Sequence, residues 1–385
     1  MANTISNLIP VAFRALDTVS RELTGLISAV NLDAAADTIA KGQTINSPVV
    51  PTGDSIGDIT PAMTVTAAAD QTIGAKTLTI DSYKSVGFNW TAEEEFGVNT
   101  GSRMERIMQD QLAQKFRQLS NSIELALWTA AYKGASRAIG TTAGTAPILA
   151  DFAGAKKILD DNGAPMTDRH VVLDTTAGVA LRGIANLYKV NESGDSNLLR
   201  NGALGNLYGF DLRESAQVGS VAAGAMASAT STSAAFTVGQ TVIPLATAGT
   251  GVVAAGDIIT FANDTNKYVV SSVSFAGANP ASGDSITLAA PGLRVAQGVA
   301  TRAITVFATS TRNLALQRNA LTLATRLPKF QSGDQCADRQ IITDPNTGIS
   351  FELSMWPGQR MVKYEVAIAY GMTVIKPEYL SVIIG

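Results

Sequence analysis

The sequence predicts an α+β fold built around one very long helix, with a small all-β unit inserted between two α/β segments. Three observations carry this reading. Between residues 103 and 132, apolar side chains recur every three or four positions. Between 217 and 309, short β-forming runs alternate with turn residues and helix signals vanish. The chain then closes on two apolar runs around Lys376-Pro377-Glu378, the first with period-2 patterning.

A chain of 385 residues can bury a substantial core and divides into two or three domains. Charged residues make up only 16% of it, against roughly 25% in soluble domains. A surface that poor in charge suits a protein largely covered by other subunits; an Ala/Thr-rich monomer surface is the alternative. With a net charge of −3 and no basic stripe, tight sequence-independent nucleic-acid binding is disfavoured. The single cysteine, Cys336, forbids an internal disulfide, and the single histidine, His170, excludes a His-rich metal site. The N-terminus has no basic region followed by an apolar core, and no apolar run reaches the ~18 residues of a membrane span. The expectation is a protein that folds in a reducing cytoplasm, without cofactor or metal.

In chain order, Leu8, Val11, Ala12, Ala15, Leu16, Val19, Leu23, Leu26, Ile27 and Val30 share one helical face, with Pro10 in the first turn. Residues 1–46 therefore read as an N-terminal helical arm. Residues 47–92 read as an extended two-stranded hairpin loop, Pro/Gly-rich at first and then alternating in TLTIDSYKSVGFNW. Ser102 and Glu105 form a capping box ahead of helix 103–132, which at ~1.5 Å per residue is about 45 Å long. Met104, Met108, Leu112, Phe116, Leu119, Ile123 and Leu127 make its apolar stripe. Arg103, Arg106, Asp110, Gln114, Arg117, Asn121 and Glu124 make the polar one, and Gly134 ends the helix.

A helix over 151–160, a buried strand in RHVVLD, a helix capped by Thr175 or Thr176 and a β return in NGALGNLYGFDLRES follow. Segment 217–309 reads as an inserted small β-barrel or sandwich, and its alternating Ile, Val and Phe argue against a low-complexity linker. Residues 313–326 return to mixed structure. In 364–375 the large side chains Tyr364, Val366, Ile368, Tyr370, Met372 and Val374 alternate with small ones, and 379–384 begins a second strand. The ending thus reads as the closing edge of a central sheet.

No catalytic constellation emerges, and the chain is expected not to be an enzyme. His170 reads as a surface or strand-edge histidine. No Gly-x-Ser-x-Gly elbow or P-loop is present. NDTNK and DPNTG lack the acidic spacing of a Ca²⁺ loop and read as turns. Glu93-Glu94-Glu95 reads as a solvated or interface-facing run. Cys336, between Gln335 and Ala337, is read as having no histidine or basic partner and as inert.

Three stretches carry a resemblance. HVVLDTTAGVALRG with NGALGNLYGFDLRES, then NLALQRNALTLATRLP, then YEVAIAYGMTVIKPEYLSVIIG, are similar in order and spacing to the Hong Kong 97-like major capsid (coat) proteins of tailed bacteriophages. The insertion resembles the short-tailed-phage branch, which carries a β-barrel in its axial (A) domain; here the insertion is short and lacks a long charged loop. The resemblance implies a spine helix at 103–132 within a peripheral domain over 93–150, an extended loop (E-loop) at 47–92, peripheral and axial segments at 151–216 and 310–385, and a barrel at 217–309. It implies self-assembly into pentamers and hexamers of an icosahedral virion capsid, through a procapsid that expands in the host cytoplasm. Scaffolding protein, portal and non-specifically contacted double-stranded DNA would be partners, with no membrane. Candidate inter-subunit residues are Lys76, Lys84, Phe88, Trp90, Glu93, Glu94, Arg103, Arg106, Asp110 and Arg117; covalent cross-linking is not expected. An encapsulin-type compartment shell keeps the same fold with a different task. A surface-layer or adhesin-like protein, and then a hydrolase, rank below it.

Overall fold

The computed structural model describes residues 24–49, 61, 74–98, 103–140, 142–184, 187, 204–331, 333–344 and 347–385. The helical reading of 8–23, the Ser102 cap and the tip of the hairpin loop lie outside the described residues.

The chain runs through β1 (Asn31–Ile39), β2 (Thr44–Val49), β3 (Gly74–Thr79) and β4 (Ser82–Thr91) into α1 (Ala92–Val98) and the long α2 (Arg103–Gly134). Then come β5 (Arg137–Ile139), α3 (Leu149–Asp161), β6 (Arg169–Leu173), α4 (Thr175–Arg182), β7 (Asn206–Leu207) and β8 (Phe210–Glu214). The inserted segment holds β9 (Ser220–Val221), β10 (Val242–Pro244), β11 (Ile258–Phe261), β12 (Lys267–Ser274), β13 (Ser285–Leu288) and β14 (Ile304–Val306). The chain finishes with β15 (Ser310–Gln317), β16 (Leu321–Pro328), β17 (Asp338–Thr343), β18 (Ser350–Gly358), β19 (Met361–Val374) and β20 (Leu380–Ile384).

Two large sheets share α2 as their common support. The outer sheet has six strands in the order β1-β16-β19-β18-β17, with β4 pairing β19 as well. Alternation along β19 turns Val366, Ile368 and Tyr370 onto α2 and Ala369 onto the opposite face, beside Leu78 and Ile80. The predicted helix stripe meets them: Met108, Leu112, Phe116, Leu119, Ile123 and Leu127 are all buried, and Phe116 packs edge-on against Phe351 at 5.3 Å. Each such side chain contributes about 1.5–3 kcal/mol by leaving water. At ~1.5 Å per residue the 32-residue helix is about 48 Å long.

The twelve-stranded central sheet includes the run β5-β20-β15-β6-β8-β7. Its strands alternate between two cores. Val172, Leu314, Leu316, Val382 and Ile384 join α2, while Val171, Leu173, Ala315 and Ile383 pack against Phe152, Leu159 and Leu181 of α3 and α4. β15 and β16 are joined by one short turn at Arg318–Ala320, so a single bend carries the chain from the central to the outer sheet.

The inserted segment is tied to that sheet by β12, which pairs β5. Its ladder runs β10-β13-β12-β11-β14, and segment 229–232 returns from β14 to β10. Ile304 N donates to Ala229 O, and Thr232 N donates to Pro244 O at 3.0 Å. The resulting ring encloses its own core, including Phe236, Ile243, Phe261, Tyr268 and Ile286.

Several expectations need correction. Residues 24–46 are not a helical arm: 26–29 form a turn in which Ala29 N donates to Leu26 O at 3.0 Å, β1 pairs in parallel with β16, and β2 begins the ribbon. The two-stranded excursion is β2 with β3 only; β4 is absorbed into the outer sheet along ten residues of β19. Asp174, rather than Thr175 or Thr176, caps α4, accepting the amides of Thr176 and Ala177 at 3.1 Å. β20 is no edge, since β15 and β5 flank it. His170 is buried in β6, an interior strand between β15 and β8.

Candidate assembly surfaces

Glu124 shows how the long helix does more than divide polar from apolar. Placed on the polar stripe by periodicity, it is fully buried. Its carboxylate accepts the backbone amides of Gly25, Leu26 and Ile27 at 2.7, 2.6 and 3.0 Å. Burial pushes its pKa above the ordinary carboxylate value, against the opposing pull of those amide bonds and of Ser215. The turn that follows residue 23 is thereby fixed to the middle of α2. Only glycine fits at 25, where a Cβ would lie 2.7 Å from Glu214 O.

On the outer sheet, the ribbon β2–β3 is anchored at its base. Gly42 N donates to Ile80 O and Ile80 N to Gln43 O, at 2.9 and 3.0 Å. Lys76 Nζ reaches the end of β19, donating to Ile375 O at 2.6 Å and Val374 O at 3.4 Å. Ribbon, α2 and β19 border an open cleft of about 720 Å³, lined by Lys84, Leu125, Lys133 and Tyr370 among others. Leu125 is 45% exposed there.

Beyond the other end of β4, two adjoining hollows of about 370 and 290 Å³ share Ile107 and Gln111. Phe88 and Asp110 line the first and Trp90 and Glu94 the second, so four of the sequence-predicted residues converge. Phe88 stacks on Tyr364 at 5.4 Å, and Trp90 Nε1 donates to Gln111 Oε1 at 2.8 Å. Glu94 accepts the Thr91 amide while Thr91 Oγ1 accepts the Glu94 amide, a reciprocal cap that starts α1. Hydrogen bonds from the Thr91 amide and side chain hold the Glu94 carboxyl below its usual pKa.

The remaining candidates scatter. Lys84 lines the cleft, Glu93 is exposed on α1, and Arg117 is half-buried on α2. Arg103 and Arg106 fall in the first turns of α2, with side chains outside the described residues. Lys76 and Trp90 serve internal contacts. Sequence reasoning missed Phe96 of α1, which is 88% exposed. Thr91-Ala92-Glu93-Glu94 is itself a capping-box sequence and would have revealed that helix.

Cys336 lies near Arg339, a basic neighbour absent from the sequence reading, yet burial raises its thiol pKa. Among the described residues, no group of His, Cys, Asp and Glu could hold a metal ion, and no helix is long and apolar enough to cross a membrane.

The two sheets and the long helix between them make a fold shared with phage capsid chains. A chain in the capsid structure of the Cyanophage P-SCSP1u superposes with a TM-score of 0.51 at 13% identity, covering 94% of this chain and 88% of that one. A chain of Mycobacterium phage Che8 aligns with a TM-score of 0.49 at 15% identity over 94% and 91% of the two chains. One from the virus-like particle of Pyrococcus furiosus aligns at 0.42 and 8% identity over 98% and 97%. No protein-family model and no curated protein matches the sequence.

Proposed function

We propose that this chain is the major capsid protein of a tailed phage, assembling into pentamers and hexamers of an icosahedral head around double-stranded DNA. The observation that carries the proposal is the superposition on the cyanophage capsid chain, which covers 94% of this chain. Within it, α2 is the spine, ribbon β2–β3 the extended loop of a Hong Kong 97-like subunit, the outer sheet the peripheral domain and the central sheet the axial domain. The closed ring corresponds to the inserted β-barrel of the short-tailed-phage branch. Low charge supports the same reading, since faces that are buried in a shell need few solvating groups. Scaffolding protein and portal would act before DNA enters, in the host cytoplasm, and the chain would have no catalytic role.

Purified protein examined by size-exclusion chromatography and negative-stain microscopy tests this. Closed shells, or subunits that convert to shells as concentration and salt change, are expected. A species that stays monomeric under every condition overturns the proposal. Shells filled with an enzyme cargo rather than DNA would reassign the chain to an encapsulin-type compartment.

A further inference from the structure

Arg312 of β15 is the largest fully enclosed side chain among the described residues. Its backbone is spent: the amide donates to Gly219 O at 3.1 Å, and the carbonyl accepts Trp128 Nε1 at 2.9 Å. Its side chain is not. Nε, Nη1 and Nη2 are all buried without a hydrogen-bond partner among the described residues. A guanidinium carries five donors, and burying a cation without acceptors is strongly unfavourable. The charge persists, because burial lowers the pKa only to about 10.

The groups that act electrostatically on Arg312 are Asp257 of the inserted segment and Tyr132 of α2. Asp257 is itself buried and held in place, accepting Gly224 N at 3.1 Å and Ala254 N at 2.7 Å. It makes no hydrogen bond to the Arg312 guanidinium, whose three nitrogens have no protein partner among the described residues. A second polar group points the same way. Ser310 lies two residues earlier on the same face of β15, about 6.6 Å along the strand, and its buried Oγ also lacks a protein partner. An anion would answer the guanidinium but add negative charge beside Asp257. A small neutral molecule with both donors and acceptors answers both, and water is that molecule.

We propose that Arg312, Ser310, Asp257 and Tyr132 enclose a buried water site where the inserted ring, α2 and the central sheet meet. The site makes the seat of the ring polar and hydrated instead of dry. Water-bridged bonds re-form over a range of geometries, so such a seat accepts small rotations of the ring that a direct salt bridge would resist. This depends on the local geometry and not on the capsid reading.

The test is a crystal or electron-microscopy map of the full chain that displays ordered water. Two or more water peaks within hydrogen-bond distance of the Arg312 guanidinium, at least one also touching Asp257, are expected. A direct Arg312–Asp257 contact or an empty site overturns the proposal. So does an anomalous signal at the guanidinium after a bromide soak, which would make the ligand an anion. In solution, Arg312→Met, Asp257→Asn and the double variant form a cycle. The drop in Tm from Asp257→Asn should be smaller in the Arg312→Met background than in the unaltered chain; additive drops count against a shared site. Should Arg312→Met fail to fold, the map and the bromide soak on the unaltered chain decide.

Discussion

Glu124 Oε1 accepts the Leu26 amide at 2.6 Å across 98 residues of sequence. Desolvation dominates that carboxylate and raises its pKa, so the native state binds its proton more tightly than the unfolded chain. The group's contribution to stability is then greatest below the unfolded value and falls as pH rises through the native one. Glu124→Gln removes the titration. The Tm of the unaltered chain minus that of Glu124→Gln should decrease as pH rises through the native pKa, measured by thermal melts across a pH series. An increase would mean that the amide bonds outweigh desolvation.

His170 predicts the opposite slope. Burial, aided by Arg213, lowers its pKa despite Asp211 Oδ2 at 3.3 Å from Nδ1. The unfolded chain therefore takes up the proton first as pH falls. Stability from this group is complete above the unfolded value of about 6.5 and is lost as pH drops toward the native one. Urea titrations should show this loss in the unaltered chain and a flatter dependence in His170→Asn.

Gly25→Ala forces a Cβ to 2.7 Å from a backbone oxygen that cannot swing aside, Glu214 O. Overpacking of that kind costs about 1–3 kcal/mol, readable as a lower urea midpoint. Gly205→Ala, where a Cβ meets nothing within 4 Å, is the matched control and should shift stability by less than about 0.5 kcal/mol.

Phe116 and Phe96 separate folding from assembly. Phe116→Ala opens a cavity against Phe351 in the main core and should cost about 3–5 kcal/mol of subunit stability. Phe96→Asp alters a ring that is 88% exposed and should leave the subunit's stability within about 0.5 kcal/mol. If the chain assembles as proposed, its effect should appear as a reduced yield of shells in microscopy. Normal shell yield from Phe96→Asp would remove α1 from the contact surface.

Periodicity made α2 legible, because a stripe sustained from Met108 to Leu127 has one structural solution. The pattern of β19 was legible for the same reason. Glu124 was not, since a residue-type pattern places it with its polar neighbours and cannot see the three amides brought to it from residues 25–27. β1 was hidden because NLDAAADTI carries little alternation of its own; its strand geometry is imposed by β16. Of the candidate surface, Phe88, Trp90, Glu94 and Asp110 lie along two adjoining hollows, whereas Lys76 reaches backbone carbonyls at the end of β19 that no side-chain motif announces.

The parallel register of β1 on β16 sets Asn31 beside Thr322 and Ile39 beside Pro328. Such distant pairing must wait for a very large loop to close, and parallel strands joined across most of a chain form slowly. Until β16 has been synthesised, β1 has no ladder to join, and unfinished chains carry an open strand edge available to one another. The yield of competent subunits should therefore depend on how crowded the nascent chains are, through the rate at which they finish, more than on how stable the finished subunit becomes.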